Sequence, residues 1–154
     1  MNVAVPPAID LADIQSFGFL TTEHLRFADV DANGHINNVA FLVFFENARI
    51  RYLKDQLKGL RALTGLDVVV AHIDIDLKRQ MFYPGTIRAG ARITEIRRAS
   101  IVIGQAIFDQ EGLCAATGHV ILVSIDKQSG RAATIGEEAR ASLTRLMDAT
   151  GGVL

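Results

Sequence analysis

The sequence predicts an α+β domain in which an antiparallel five-stranded sheet wraps around one long central helix. Two patterns and their order predict it. Between residues 39 and 52 the apolar side chains Phe41, Phe44, Phe45, Ala48 and Tyr52 recur at helical spacing, which marks one face of an α-helix. Elsewhere, residues rich in Val and Ile alternate with polar ones between short turns, as half-buried strands do. The order is strand, long helix, four strands, short helix. A single helix with so apolar a face is best covered by a sheet curling over it, although order alone also permits other α+β sandwiches.

Taken in order, residues 1–16 read as a loosely ordered lead-in, because Pro6 and Pro7 prevent regular structure near the start. Residues 17–150 form the single domain. FGFLTTEHLRFAD (17–29) reads as a first strand, and the polar DANGHINN that follows carries turn chemistry. Asn37 or Asn38 can cap the helix by accepting an otherwise orphaned backbone N–H. Glu46 with Arg49, and Arg51 with Asp55, pair at helical spacing on the polar side. Gly59 or Gly65 can end the helix. LDVVVAHIDIDLKRQ alternates Ile73, Ile75 and Leu77 against Asp74, Asp76 and Lys78. Tyr83-Pro84-Gly85 reads as a turn with a positive φ at Gly85, and Asp109–Gly112 as a hairpin turn. The four strands are thus expected to form an antiparallel meander. GEEARASLTRLMDATGG closes the chain as a helix, with Glu137 and Glu138 at its positive end and Gly151 as its stop.

Composition narrows the function. Of 154 residues, 49% are hydrophobic and 21% charged, so part of the apolar content is expected to be buried between subunits of a homodimer or homotetramer. Sixteen basic against 17 acidic residues give a net charge of −1, which makes no electrostatic case for nucleic acid or an anionic membrane. The lone Cys114 excludes an internal disulfide, suits a reducing compartment, and sits in an apolar run as a small core filler. The opening residues lack the basic and apolar regions of a secretory signal, and no apolar stretch reaches the ~20 residues of a membrane span. A soluble cytoplasmic protein is expected. His24, His72 and His119 lie on separate predicted strands without metal-ligand spacing, so neither metal nor other cofactor is expected.

The informative segment is RFADVDANGHINNVAFLVFFENAR, residues 26–49. It sets Asp31, Asn33 and His35 in a turn just ahead of a helix start. Unpaired N–H groups and a partial positive charge at that start can polarise a carbonyl and hold an oxyanion. A carboxylate nearby can attack the carbonyl or take a proton from water. Each residue also has a duller reading: Asp31 as an Asx turn, Asp29 as a partner for backbone or Arg26, Asn33 as a left-handed residue before Gly34, and Glu46 and Arg49 as a helix-surface pair or a subunit contact.

The segment resembles the hotdog-fold thioesterases, in particular the 4-hydroxybenzoyl-CoA thioesterase and YbgC-like acyl-CoA thioesterase group. The matching positions are Asp29, Asp31, Gly34, His35, Asn38, Phe41, Glu46, Ala48 and Arg49, and the likeness runs to about Asp126. The resemblance implies a hotdog fold and hydrolysis of an acyl-CoA or acyl-carrier-protein thioester. It implies Asp31 as the catalytic carboxylate and the backbone N–H near Asn38 as the oxyanion donor. Asp31, Asn33 and His35 also resemble the Asp-x-Asn-x-His triplet of plant acyl-carrier-protein thioesterases, which implies that Asn33 and His35 position thioester or water. In the hydroxybenzoyl-CoA enzymes a basic run between the third and fourth strands grips the phosphates of coenzyme A, and here Arg97, Arg98 and Ser100 occupy that place. Two alternatives stand beside this. A hotdog hydratase carries Asp-x-Asn-Pro-x-His, whereas Asp31–His35 lacks the proline and is one residue shorter. A non-catalytic acyl-CoA-binding module would bind without turnover.

Overall fold

The computed structural model describes residues 8–58, 61, 65 and 67–149. Five strands, β1 (Leu20–His24), β2 (Asp67–Leu77), β3 (Thr86–Ile96), β4 (Ser100–Phe108) and β5 (Cys114–Ile125), form one antiparallel sheet in the order β1-β3-β4-β5-β2. It curls around α1 (Asn38–Leu57), and α2 (Glu137–Ala149) closes one end. This is the hotdog arrangement.

The predicted four-strand meander is corrected in one place. Strands β3, β4 and β5 follow one another as hairpins, but β2 pairs with β5 at the far edge rather than with β3. The cause is the length of the link from Leu77 to Thr86. A tight hairpin takes two to five residues. A longer link can cross the three strand spacings from β2 to β3, about 14 Å. Tyr83-Pro84 is a cis peptide in that link, and Gly85 is not among the positive-φ residues, contrary to expectation.

The first strand is also shorter than the predicted 17–29. After His24 the chain turns at Phe27–Asp29, because the Asp29 carboxylate takes the Arg26 backbone N–H at 3.0 Å and its guanidinium at 2.7 and 3.2 Å. Before β1, residues 1–7 lie outside the described residues, and the segment that follows is exposed over much of its length but anchored to the sheet at Leu11 and Phe17. Leu11 and Phe17 are buried on the outer face of the sheet against Ala106 and Phe108, and Arg92 donates to the Ser16 carbonyl at 2.6 Å. Gly90 makes room for Phe17: a Cβ there would lie 2.6 Å from its ring.

Asn37 caps α1, its Oδ1 accepting the Ala40 N–H at 2.8 Å. The predicted face is the buried face: Phe41, Phe44, Phe45, Ala48 and Tyr52 are each at most 3% exposed. Each such phenylalanine contributes about 1.5–3 kcal/mol. The first half of α1 packs on Met81, Ile87, Ile107 and Ala116. Tyr52, near the other end, packs on Ile93, Ile103 and Leu143, and its hydroxyl accepts the Ile93 N–H at 3.2 Å. Lys58, rather than a glycine, takes the left-handed turn at the helix end, with φ 47°. Gly59 lies outside the described residues, and Gly65 has its own positive φ of 65° further on. Gly151, the expected stop of α2, is likewise outside them.

The alternation in β2 does not yield the expected buried row. Ile75 packs on the core, but Val70, Ile73 and Leu77 stay 46–48% exposed. As the edge strand, β2 has a neighbour on one side only. Beside it, Val39, Leu42 and Val43 on α1 are also exposed.

Candidate active site

The turn ahead of α1 is built by its own backbone. The Asp31 N–H donates to the His35 carbonyl at 2.7 Å, and the Gly34 N–H to the Asp31 carbonyl at 3.1 Å. Gly34 sits at φ 80°, a left-handed position that suits glycine. The Asp31 side chain closes the turn from inside. Its Oδ1 accepts the N–H groups of Asn33 at 2.8 Å and His35 at 3.1 Å. The Ile36 N–H donates to the Met81 carbonyl and the Asn37 N–H to the Asp29 carbonyl, which pins the turn to the β2–β3 link and to the Phe27–Asp29 turn and delivers the chain into α1.

Oδ1 is therefore committed to the turn, while Oδ2 has no hydrogen-bond partner among the described residues. Asp31, His35 and Asn38 line one cleft of about 240 Å³, with Phe41 at its side. Asn38 opens α1, where the first N–H groups have no intrahelical acceptor; the Asn37 cap satisfies that of Ala40. His35 is half-buried, its ring edge-on to Phe82 with centroids 5.2 Å apart. Asn33 is exposed at the tip of the turn and does not line the cleft. Asp29 is a structural partner of Arg26, whose hydrogen-bonded guanidinium holds the carboxyl below its ordinary value. A carboxylate and a helix start that line one small cleft can serve acyl transfer to water.

The other wall comes from Leu77, Lys78, Arg79 and Gln80, at the end of β2. Reasoning from sequence missed these residues. Their signal is the point in IDIDLKRQ where alternation breaks into consecutive polar residues.

Arg97, Arg98 and Ser100 are not brought to this cleft within one chain. They form the β3–β4 turn, and the eleven residues of β3 separate it from the Met81 end, about 35 Å of strand. Glu95 holds the Arg97 guanidinium by two bonds of 2.9 and 3.0 Å. Arg98 reaches the Thr134 hydroxyl at 3.5 Å, and the Ser100 carbonyl accepts the Arg97 N–H at 2.8 Å.

The helix-surface reading of Glu46 and Arg49 is corrected. Glu46 is exposed, but Arg49 is buried, and its Nη1 donates to Gln105 Oε1 at 3.4 Å. Gln105 in turn donates to the Phe45 carbonyl at 2.7 Å. Burial pushes the Arg49 guanidinium below its ordinary value, against the opposing charge of Glu46. Arg49 lines a second cavity of about 220 Å³ between α1 and β2, with Val39, Leu42, Val43, Val70 and Ile73 supplying apolar walls.

His72 and His119 meet across the Asp74 carboxylate at 3.6 and 3.3 Å on the neighbouring strands β2 and β5. Among the described residues no group of three His, Cys, Asp or Glu could hold a metal ion. Cys114 is half-buried, and burial raises its thiol pKa, which makes it a weak nucleophile. Among the described residues no helix is long and apolar enough to cross a membrane.

The family model of the thioesterase-like superfamily matches residues 25–143, a span that includes the turn, α1 and the whole sheet beyond β1. The chain belongs to that superfamily. This thioesterase is 30% identical over 128 residues to the uncharacterized protein YsmA of Bacillus subtilis, covering 83% of this chain and 86% of YsmA. Among solved structures, it superposes on a thioesterase from Thermus thermophilus, complexed with coenzyme A and Zn, with TM-score 0.75 and 29% identity over 86% of this chain and 97% of that one. A predicted thioesterase from Bacillus stearothermophilus matches with TM-score 0.72 and 26% identity over 84% of this chain and 96% of that one. The reaction class of this chain is thioester hydrolysis.

Proposed function

We propose that the thioesterase hydrolyses an acyl-CoA-like thioester with Asp31 as its catalytic carboxylate. The observation that carries this reading is the division of labour at Asp31: Oδ1 is tied into the turn by two N–H groups, and the carboxylate lines the same cleft as the first residue of α1. With the thioester oxygen against the N–H of Asn38, charge developing on that oxygen is met by the positive end of a 20-residue helix. Asp31 Oδ2 then acts in one of two ways. As general base it takes a proton from water while the water oxygen bonds to the carbonyl carbon. As nucleophile it bonds to that carbon itself, and water hydrolyses the resulting anhydride. Either route breaks the carbon–sulfur bond and releases a carboxylic acid and a thiol. His35 positions thioester or water, held by its contact with Phe82, whereas Asn33 stands outside the cleft and has no such part in this reading.

The working unit in this reading is a homodimer or a dimer of dimers in a reducing cytoplasm. The exposed apolar row on β2 and the neighbouring side of α1 supports burial against a second copy. Antiparallel pairing of two β2 strands exchanges the ends of the sheet. The partner subunit's Arg97, the partner subunit's Arg98 and the partner subunit's Ser100 then come to the end that carries Asp31, where they contact the phosphates of coenzyme A. The coenzyme A complex of the Thermus thermophilus relative supports this carrier.

The test is thiol release followed with DTNB across benzoyl, short-chain and long-chain acyl-CoA esters. Turnover on one class is expected, without hydration of crotonyl-CoA. Coenzyme A binding with no turnover on any CoA or carrier-protein ester would instead mark a binding module.

A further inference from the structure

We propose that Lys78 and Arg79 form a phosphate-gripping pair at the mouth of the Asp31 cleft, reading the phosphopantetheine arm of the thiol carrier. The inference rests on the thioesterase reading above. Just past β2 the N–H groups of Lys78 and Arg79 both donate to one acceptor, the Ala115 carbonyl, at 2.9 and 3.1 Å. Two residues opposite one carbonyl make a bulge, which ends the alternation of the strand and re-aims side chains; bulges of this kind recur beside active sites. Here both neighbours line the cleft shared with Asp31, His35 and Asn38. In regular alternation one of the two would face away.

Both residues are exposed although they line the cleft. This is how long cationic side chains behave when their stems cover a wall and their charged ends stay in water. The charges therefore sit at the rim, away from the thioester. The pantetheine chain puts the phosphate at the same remove: with the sulfur at Asp31 and Asn38, the arm must leave past the rim before its phosphate is reached. Neither cation is spent on a carboxylate, since no ion pair among the described residues includes Lys78 or Arg79. Arg97, by contrast, is held by Glu95 and lies at the other end of the sheet within the same subunit. Lysine offers a mobile point charge and arginine a bidentate fork, a combination suited to a phosphate group that moves in and out.

Coenzyme A and a carrier protein share this phosphate, so the test uses graded ligands. Isothermal titration calorimetry of the full chain with pantetheine, 4′-phosphopantetheine and coenzyme A is run on wild type and on Lys78→Gln/Arg79→Gln, with circular dichroism melting as the folding control. Wild type is expected to bind phosphopantetheine at least about tenfold more tightly than pantetheine, as one or two charge-assisted bonds give. The variant should lose most of that advantage. Equal binding of coenzyme A by both proteins would overturn the proposal, as would proportional loss of pantetheine and phosphopantetheine, or no coenzyme A binding by wild type. If wild type binds as expected yet hydrolyses no thioester, the hydrolytic reading fails while the phosphate site stands. Coenzyme A binding more tightly than phosphopantetheine, with the excess untouched by the variant, would support the pair at the shared phosphate and assign the nucleotide end to other residues.

Discussion

Replacing Asp31 separates the chemistry of the site from its architecture. Its carboxylate does two things: Oδ1 takes two backbone N–H groups of the turn, at 2.8 and 3.1 Å, and Oδ2 is left for the reaction. Asp31→Ala removes both roles. At a half-exposed position each turn bond contributes about 1 kcal/mol, so alanine should cost about 2 kcal/mol. In a domain of this size that lowers the melting temperature by about 6 °C. Asp31→Asn keeps an oxygen acceptor in the place of Oδ1, so its loss should stay under about 1 kcal/mol, or roughly 3 °C. Activity should not follow that order. An amide can neither take the proton from water nor attack the carbonyl, so both variants should lose about 10²–10⁴ in turnover. The assay pairs DTNB thiol release on the best acyl-CoA ester with circular dichroism melting of the three proteins. Near-native turnover in Asp31→Asn would refute a catalytic carboxylate. Identical melting of the alanine and asparagine variants would refute the role given to Oδ1.

Other consequences can be checked independently. Gly90→Ala forces a Cβ to within 2.6 Å of the Phe17 ring and should destabilise by about 1–3 kcal/mol in urea unfolding; pairing it with Phe17→Ala should shrink the added cost, and strict additivity would mean that the two do not touch. Asp29 has its carboxyl held low by the hydrogen-bonded Arg26. Its stabilising effect is therefore present above the ordinary Asp value of about 3.9 and lost as pH falls through the depressed folded value. The melting-temperature gap between wild type and Asp29→Asn should be steady near neutrality and close in acid, whereas a gap that widens in acid would reverse the assignment. Ile73→Lys puts a charge on the exposed row of β2 and should halve the particle mass measured by light scattering; a wild-type monomer would remove the basis for the dimer.

The parts legible in the sequence were those where a local rule has one solution. Helical spacing selected Phe41, Phe44, Phe45, Ala48 and Tyr52, and all five are buried, because a lone helix can hide only that face. Asn37 as a cap and the Asp109–Gly112 turn followed from side chains bonding to backbone a few residues away, and α2 from the acidic first turn at Glu137 and Glu138. The turn holding Asp31 was readable for the same reason, since its hydrogen bonds span at most four residues.

Tertiary structure decided whatever depends on partners far along the chain. Whether β2 joins β3 or β5 is set by how the chain crosses the helix, and alternation in β2 reads the same in either place. That pairing made β2 an edge and left Ile73 and Leu77 half-exposed. It also brought Lys78 and Arg79 to Asp31, and put Arg97 at the opposite end of the sheet from it. The burial of Arg49 depends on Gln105, 56 residues away, and the fixing of the lead-in depends on Arg92 and Gly90. Local bonding and periodicity are written in neighbouring residues, so the sequence determined the helix, its cap and the Asp31 turn. Strand order and the far wall of the cleft arise from packing between distant segments, which no local pattern encodes.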